Sequence, residues 1–147
     1  AKLISLESNL KFYEITRKYW DKFFEVHGID TAKFDLKHGT LVTYDQLDKD
    51  YVTDSGHTKE TYDYNQDIKH APKIIVEDKV DVLCLDGGHF STSLEWDLFK
   101  ETAKIVAIDD TSTSKTNMIL KEIKESGNWS IIYESSQRNG EMIVEKI

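Results

Sequence analysis

The sequence predicts an α/β domain built around a largely parallel β-sheet. Two short apolar runs, at residues 80–85 and 105–108, each end in acidic residues. Short β-branched runs bounded by turn residues are typical of buried parallel strands. Elsewhere apolar residues recur every three or four positions, which is the spacing of amphipathic helices. The chain closes with two strand-like runs joined by Asn139 and Gly140, a pair that favours an antiparallel hairpin.

The length and charge of the chain limit the classes of protein it can belong to. Its 147 residues suit a single domain spanning 1–147 that is long enough to bury a core. With 19 basic against 27 acidic residues the net charge is -8, which argues against a nucleic acid or an anionic membrane as partner. No apolar run approaches the roughly 20 residues of a membrane span, and the first residues lack the form of a signal peptide. A cytoplasmic protein is expected.

The cysteine content agrees with that location. Cys84 is the single cysteine, so no intramolecular disulfide can form. It lies within an apolar run, where a small thiol usually packs as a hydrophobic residue. We therefore expect a buried, structural thiol.

The first third of the chain predicts a strand, a helix and a second strand. Residues 2–5 form a short half-apolar run, and Ser8 or Asn9 is suited to cap the helix that follows. That helix is expected to end near Gly28, and a strand is expected at residues 34–44. The helix carries an apolar stripe, predicted to pack in the core against the sheet, that consists of Phe12, Ile15, Tyr19, Trp20, Phe23 and Phe24.

Residues 45–71 are polar, acidic and rich in tyrosine. A loop this long in a compact domain is usually functional, disordered or partly helical. Two interpretations stay open: a lid over the ligand-binding edge of the sheet, or a solvated insertion whose tyrosines only patch the surface. His57 and His70 lie here without the spacing of metal ligands, and we interpret both as surface histidines.

The remaining residues alternate between strands and helices. Gly127 is expected to end the last helix. Arg138 lies in the predicted hairpin turn, and we interpret it as a solvated cation at an edge far from the acidic residues. In chain order the predicted elements are strand 80–85, a helix through Phe90, Leu94, Trp96, Leu98 and Phe99, strand 104–108, helix 114–126, strand 129–133 and strand 141–144.

Acidic residues and one histidine follow the two predicted parallel strands. Asp86 and, three residues later, His89 follow the first strand, and the pair Asp109 and Asp110 follows the second. Ligands of open α/β sheets bind at this carboxyl edge. Adjacent like charges there cost stability unless they are paired or coordinated. Simpler roles stay open, since Asp86 can start a turn and His89 can cap or pack the next helix.

Three segments and the closing hairpin resemble the class I S-adenosylmethionine-dependent methyltransferases. The Rossmann-like sheet of that family is mostly parallel and ends in an antiparallel hairpin at one edge. LISLESN resembles the second strand of that fold, VDVLCLDGGH the fourth and KIVAIDDT the fifth. The resemblance implies that Glu7, at the end of the second strand, holds the ribose hydroxyls of the cofactor. From the residues alone, Glu7 is also suited to the N-terminus of the following helix.

An acid after strand four and an acidic pair after strand five are similar to the metal-dependent O-methyltransferases of the catechol and macrolide-sugar type. The resemblance implies that Asp86, Asp109 and Asp110 hold Mg²⁺ or Mn²⁺, hard cations that carboxylate oxygens suit. It further implies that His89 is the general base and that Glu7 and Asp86 contact S-adenosylmethionine. The implied reaction is methyl transfer to a hydroxyl of a sugar, polyol or diol-bearing small molecule.

One departure from the family keeps an alternative open. The family's first strand and its GxGxG cofactor loop do not occur within 1–147, and we expect a truncation or a missing segment before residue 1. The alternative is a degenerate, non-catalytic methyltransferase-like module used for partner binding or as a structural subunit. A phosphoacceptor receiver domain fits less well, since its acidic pair precedes the single Asp. Assembly into a homo-oligomer is compatible with either function.

Overall fold

Residues 2–77 and 79–147 are described by a computed structural model, which divides them between two compact units. The first unit is Ala1–Gln46 with Asp63–Val76, and the second is Leu47–Tyr62 with Glu77–Ile147. Among the residues described, every helix is too short or too polar to traverse a lipid bilayer. In chain order the strands and α-helices are β1 (Leu3–Glu7), α1 (Leu10–His27), β2 (Phe34–His38), α2 (Asp63–His70), β3 (Val82–Leu85), α3 (Thr92–Phe99), β4 (Ile105–Asp109), α4 (Asn117–Ser126), β5 (Trp129–Ser135) and β6 (Glu141–Lys146).

The first unit contains a parallel pair of strands connected by α1. β1 and β2 align with Glu7 opposite His38. The side-chain oxygen of Asn9 accepts a hydrogen bond from the Phe12 backbone N–H at 3.0 Å, which confirms the predicted N-cap. The helix ends before Gly28, whose left-handed backbone confirms the predicted C-terminal boundary.

The apolar stripe of α1 is not buried as the sequence predicts. Trp20 and Phe24 do pack on the Phe34 ring of β2, with ring centroids 6.2 and 4.8 Å apart. No residue of α1 is buried, and four members of the stripe are exposed. Two strands lie only about 4.8 Å apart, whereas a helix is about 10 Å wide. A two-stranded sheet can therefore bury only a narrow part of the helix surface. The exposed members are Phe12, Ile15, Tyr19 and Phe23.

The strand predicted at residues 34–44 is too long, because β2 ends at His38. The Thr40 hydroxyl donates to the Val42 carbonyl at 3.0 Å and accepts from the Val42 N–H at 3.3 Å. Such local bonds compete with strand pairing and turn the chain. Within the expected loop of residues 45–71, the eight residues of α2 are helical, so the partly helical alternative is the one observed.

The second unit is organised around a four-stranded sheet with the order β3-β4-β6-β5. β3 and β4 are parallel, with Val82 opposite Ile105. β6 lies antiparallel to β4 and to β5, so the chain closes with the predicted antiparallel hairpin. The α/β class and this hairpin are therefore confirmed.

One face of this sheet forms the core of the second unit. Trp96 of α3 is 2% exposed, and its indole N–H donates to Glu122 Oε2 at 2.9 Å. Cys84 is exposed, so the buried thiol predicted from the sequence is wrong. Alternate residues of a strand point to opposite faces, and Cys84 falls on the face that α3 and α4 do not cover. The core is completed by Leu83, Leu85, Phe99, Val106, Ile108, Ile119, Ile123, Met142 and Val144.

The turn of the β5–β6 hairpin lies next to the acidic residues, which corrects the expectation that it lies far from them. β6 runs antiparallel to β4, so its first residue, Glu141, pairs with the last residue of β4, Asp109. The Thr111 N–H donates to the Gly140 carbonyl at 3.1 Å across this junction. Arg138 is exposed in the turn, as a solvated cation should be.

Replacement of Gly140 tests how tightly this turn is packed. Gly140 has φ +86°, and a Cβ there would collide with the hydroxyl of Thr111 and lie 2.8 Å from that of Ser112. Gly127 has a similar φ, +68°, but open space around it. In urea unfolding, Gly127→Ala should cost about 1 kcal/mol for the left-handed backbone alone. Gly140→Ala should cost about 1–3 kcal/mol more, because the collision adds to it. Equal losses in the two variants would contradict the close packing.

Candidate functional site

Three carboxylates meet at the carboxyl ends of the parallel strands. Asp86 follows β3, Asp109 ends β4, and Asp110 comes next. One carboxylate oxygen from each lies within 4.8 Å of the others. The structure therefore brings together the three residues that the sequence predicted as a metal centre.

A left-handed turn allows the adjacent residues Asp109 and Asp110 to face the same point. Asp110 has φ +60°, a conformation that costs a non-glycine residue roughly 1–2 kcal/mol. Its carbonyl accepts hydrogen bonds from the hydroxyls of Thr113 and Thr116 at 2.9 and 3.1 Å. Its N–H donates to Asp109 Oδ1 at 2.9 Å. These bonds hold the strand in the turned conformation that a shared ligand requires.

Lys115 and Asn139 complete the acidic cluster, and neither was predicted from the sequence. The Lys115 side chain is 3% exposed, and its Nζ lies 2.8 Å from Asp110 Oδ2 and 3.7 Å from Asp86 Oδ1. Asn139 Nδ2 donates to Asp110 Oδ1 at 2.9 Å. Both oxygens of Asp110 thus have partners within the protein. The sequence offered one signal for each: Lys115 follows the acidic pair by five residues, and Asn139 lies in the predicted hairpin turn.

The two ends of the cluster differ in their electrostatics. The loss of hydration at this edge of the sheet raises the pKa of Asp86, and the negative charges of Asp109 and Asp110 raise it further against the opposing charge of Lys115. The pKa of Asp110 is lowered, first by its hydrogen bond from Lys115. Lys115 Nζ approaches Asp86 only to 3.7 Å, a longer distance than its contact with Asp110. A cation bound next to Asp86 would therefore favour the charged form of the Asp86 carboxyl group.

His89 lies in the turn between β3 and α3, half-buried. Its Nδ1 is 3.4 Å from the Tyr51 hydroxyl, which lies 2.6 Å from Ser114 Oγ. The Tyr62 ring meets the imidazole edge-on at 5.6 Å. Burial lowers the pKa of His89, and the nearby charge of Asp54 only partly opposes this shift. The imidazole is therefore neutral near pH 7, with Nε2 as the nitrogen not facing Tyr51.

The segment Leu47–Tyr62 belongs to the second unit and packs beside His89. Besides the contacts of Tyr51, Asp54 Oδ2 accepts the Ser114 N–H at 2.8 Å. The Tyr51 ring also meets the Phe90 ring edge-on at 5.0 Å. Residues 47–62 of this loop thus lie beside His89, and the role of the loop as a lid stays a prediction.

A fourth acid, also not predicted from the sequence, lies beneath the turn after Asp86. Glu95 of α3 approaches Gly87 so closely that a Cβ there would lie 2.7 Å from Glu95 Oε2. Burial raises the pKa of Glu95. The absence of a side chain at Gly87 thus lets the turn close over this carboxyl group.

The remaining predicted residues are Glu7, His57 and His70. Glu7 belongs to the first unit, where its Oε1 accepts the Asn9 N–H at 2.8 Å, a contact at the N-terminus of α1. This matches the simpler role that the sequence left open for Glu7, and its cofactor role stays a prediction. His57 and His70 are exposed, as expected of surface histidines.

The donor set suits a hard divalent cation. Octahedral Mg²⁺ binds oxygen at about 2.1 Å, so its ligand oxygens lie up to about 4.2 Å apart. The three oxygens, within 4.8 Å of one another, approach that spacing, and the Asp86 side chain is exposed. The set contains neither the cysteine nor the histidine that zinc sites usually use.

Comparison of the chain with protein-family models and with curated protein sequences finds no match. The side chains of this site are therefore the basis for inferring what the protein does.

The pKa of His89 offers a direct test of the local electrostatics. An NMR titration of the imidazole should give a midpoint below the usual value of about 6.5. Asp54→Asn should lower that midpoint further, because it removes a negative charge that stabilises the imidazolium while keeping the oxygen that accepts the Ser114 N–H. Asp97→Asn, which removes an acid that pairs with Lys100 instead, serves as the control and should leave the midpoint unchanged. A rise in the Asp54 variant would contradict this arrangement.

Proposed function

We propose that the protein is an S-adenosylmethionine-dependent, divalent-metal-assisted O-methyltransferase that acts on a hydroxyl of a sugar, polyol or diol-bearing small molecule. The observation that carries the proposal is the convergence of Asp86, Asp109 and Asp110 beside a neutral His89. A set of hard ligands next to an uncharged base is what deprotonation of a hydroxyl requires.

The order of elements gives additional support. β3 and β4 are parallel neighbours, and the antiparallel hairpin adds to the edge of β4, as the resemblance to class I methyltransferases implies. The acids follow the two strands that the resemblance identifies with strands four and five. Glu7, at the end of β1, is the residue proposed to bind the cofactor ribose, and Asp86 is proposed to contact the cofactor as well as the metal.

In methyl transfer to a hydroxyl, the protein mainly aligns the two reactants and accepts the hydroxyl proton. S-adenosylmethionine would supply the methyl carbon, whose bond to sulfur would break as its bond to the substrate oxygen forms, with the bonding electrons left on the sulfur. His89 takes the hydroxyl proton at Nε2, because Nδ1 faces Tyr51. Asp86 and Asp109 would hold a divalent ion, and that ion would supply stabilisation of the developing negative charge on oxygen. Tyr51 and Tyr62 restrict the motion of the imidazole and its contact with water.

Asp86 and Asp109 are the carboxylates best placed to hold the ion. The oxygens of Asp110 already accept hydrogen bonds from Lys115 and Asn139. Asp110 therefore contributes through an oxygen shared with one of these donors, and its orientation is set before any ligand arrives.

The non-catalytic alternative has an observation in its favour as well. Residues 1–147 contain no GxG sequence, and the oxygens of Asp110 are satisfied by protein donors. Under this alternative the acidic cluster stabilises the junction between β4 and the hairpin, and partner binding takes place elsewhere.

Cofactor binding separates the two functions. Calorimetric titration of S-adenosylhomocysteine into the full-length gene product should give binding with one ligand per chain. The proposal fails if no heat of binding appears either with or without Mg²⁺. Glu7→Gln should weaken that binding, while Glu14→Gln, an acid on the following helix, should not.

Two substitutions distinguish the contribution of the metal ligands from that of the general base. Asp109→Ala should abolish metal-dependent methyl transfer, whereas His89→Ala should lower its rate by roughly 10²- to 10⁴-fold, the usual contribution of a general base. The exposed His70 provides the control, and His70→Ala should leave the rate unchanged. Turnover of the His89 variant at the unmodified rate would reassign that residue to packing.

A further inference from the structure

Lys115 is a buried cation among the acids of the candidate metal centre. Its side chain is 3% exposed, and its Nζ lies 2.8 Å from Asp110 Oδ2 and 3.7 Å from Asp86 Oδ1. Its positive charge also acts on Glu95. Burial raises the pKa of that carboxyl group, and the charge of Lys115 opposes part of the rise. Lysine is rarely buried unless it is paired, so its place at this point depends on the acids around it.

An ion pair at the opposite ends of β3 and β4 differs from the Lys115 pairs in its exposure to water. Lys104 and Asp81, at the opposite ends of the same two strands, lie 2.6 Å apart but are 75% and 68% exposed. Exposed pairs of this type contribute little, because water screens both charges. The Lys115 ammonium is shielded from water on its own side, so its charge acts at close range on Asp110 and Asp86.

The net charge of the cluster depends on this lysine. Asp86, Asp109 and Asp110 together carry three negative charges when ionised, and Lys115 reduces the net charge to two. His89 adds none while it is neutral. The cluster with Lys115 therefore matches the charge of one divalent cation, whereas the acids alone exceed it.

We propose that Lys115 is a resident counter-cation, which holds Asp110 and Asp86 near each other without a metal and sets how tightly a divalent ion binds. The inference rests on the proposed metal centre. Lys115 repels an incoming cation and competes with it for Asp110, so the site is formed in advance but its affinity is held down.

The test measures Mn²⁺ binding to the protein by electron paramagnetic resonance, without substrate or cofactor. Lys115→Met should bind Mn²⁺ about tenfold or more tightly, because it removes the repulsion and frees Asp110 Oδ2 from its ammonium partner. Lys115→Arg keeps the charge and should stay within about threefold of the unmodified protein. Lys104→Met removes the same charge at the far end of the strands and should not change the affinity.

A second variant covers the case in which Lys115→Met does not fold. Lys115→Gln keeps a hydrogen-bond donor near Asp110 and loses only the charge, so it should also bind Mn²⁺ more tightly. The thermal midpoint of each folded variant, measured with EDTA and with Mn²⁺, should show a larger gain from Mn²⁺ than the unmodified protein shows.

The outcomes separate the failure of this inference from the failure of the metal centre. If the unmodified protein binds Mn²⁺ and both uncharged variants bind it equally or more weakly, the role of Lys115 is overturned and the metal centre stands. If only the uncharged variants bind Mn²⁺, Lys115 is supported as a counter-cation, and metal assistance in the unmodified protein is overturned. If none binds, both proposals fall.

Discussion

The left-handed turn at Asp110 is the constraint on which the rest of the site depends. A non-glycine residue adopts this conformation only where other contacts offset its cost. Here the carbonyl is held by the hydroxyls of Thr113 and Thr116, and the carboxylate is held by Lys115 and Asn139. One residue thus connects the end of β4 to the following turn and to the hairpin, and it points two neighbouring acids at the same place.

The position of β6 explains why the turn of the β5–β6 hairpin contributes Asn139 to the acidic cluster. A final strand that pairs with β4 in the antiparallel sense must begin where β4 ends, so its turn arrives at the carboxyl edge. The sequence identifies the hairpin from Asn139 and Gly140, but strand order depends on pairing between distant residues, which local patterns do not encode. The expected separation of Arg138 from the acidic residues was wrong for this reason, and the role of Asn139 was missed for the same reason.

Much of the site was predictable because it follows from strand ends. Asp86 and Asp109 end parallel neighbours, and geometry alone brings such residues together. Lys115 was not predictable in this way, because it reaches the acids from a short 3-10 turn at Ser114–Thr116 whose direction is set by tertiary contacts. Alternation along β3 likewise indicates that Cys84 faces away from Leu83 and Leu85, but not that helices cover only one of the two faces.

The proposed methyltransferase and the non-catalytic alternative place different demands on the charge of the acidic cluster. A cluster of three carboxylates without a cation would be unstable and would need a metal to form. With Lys115 in place the cluster is stable by itself, which suits a structural junction. The same arrangement also suits the proposed enzyme, since a preformed site needs little rearrangement when a cation binds. Under the proposed function a divalent ion would compete with the ammonium group of Lys115 for Asp110, whereas in a structural junction that ion pair would stay intact.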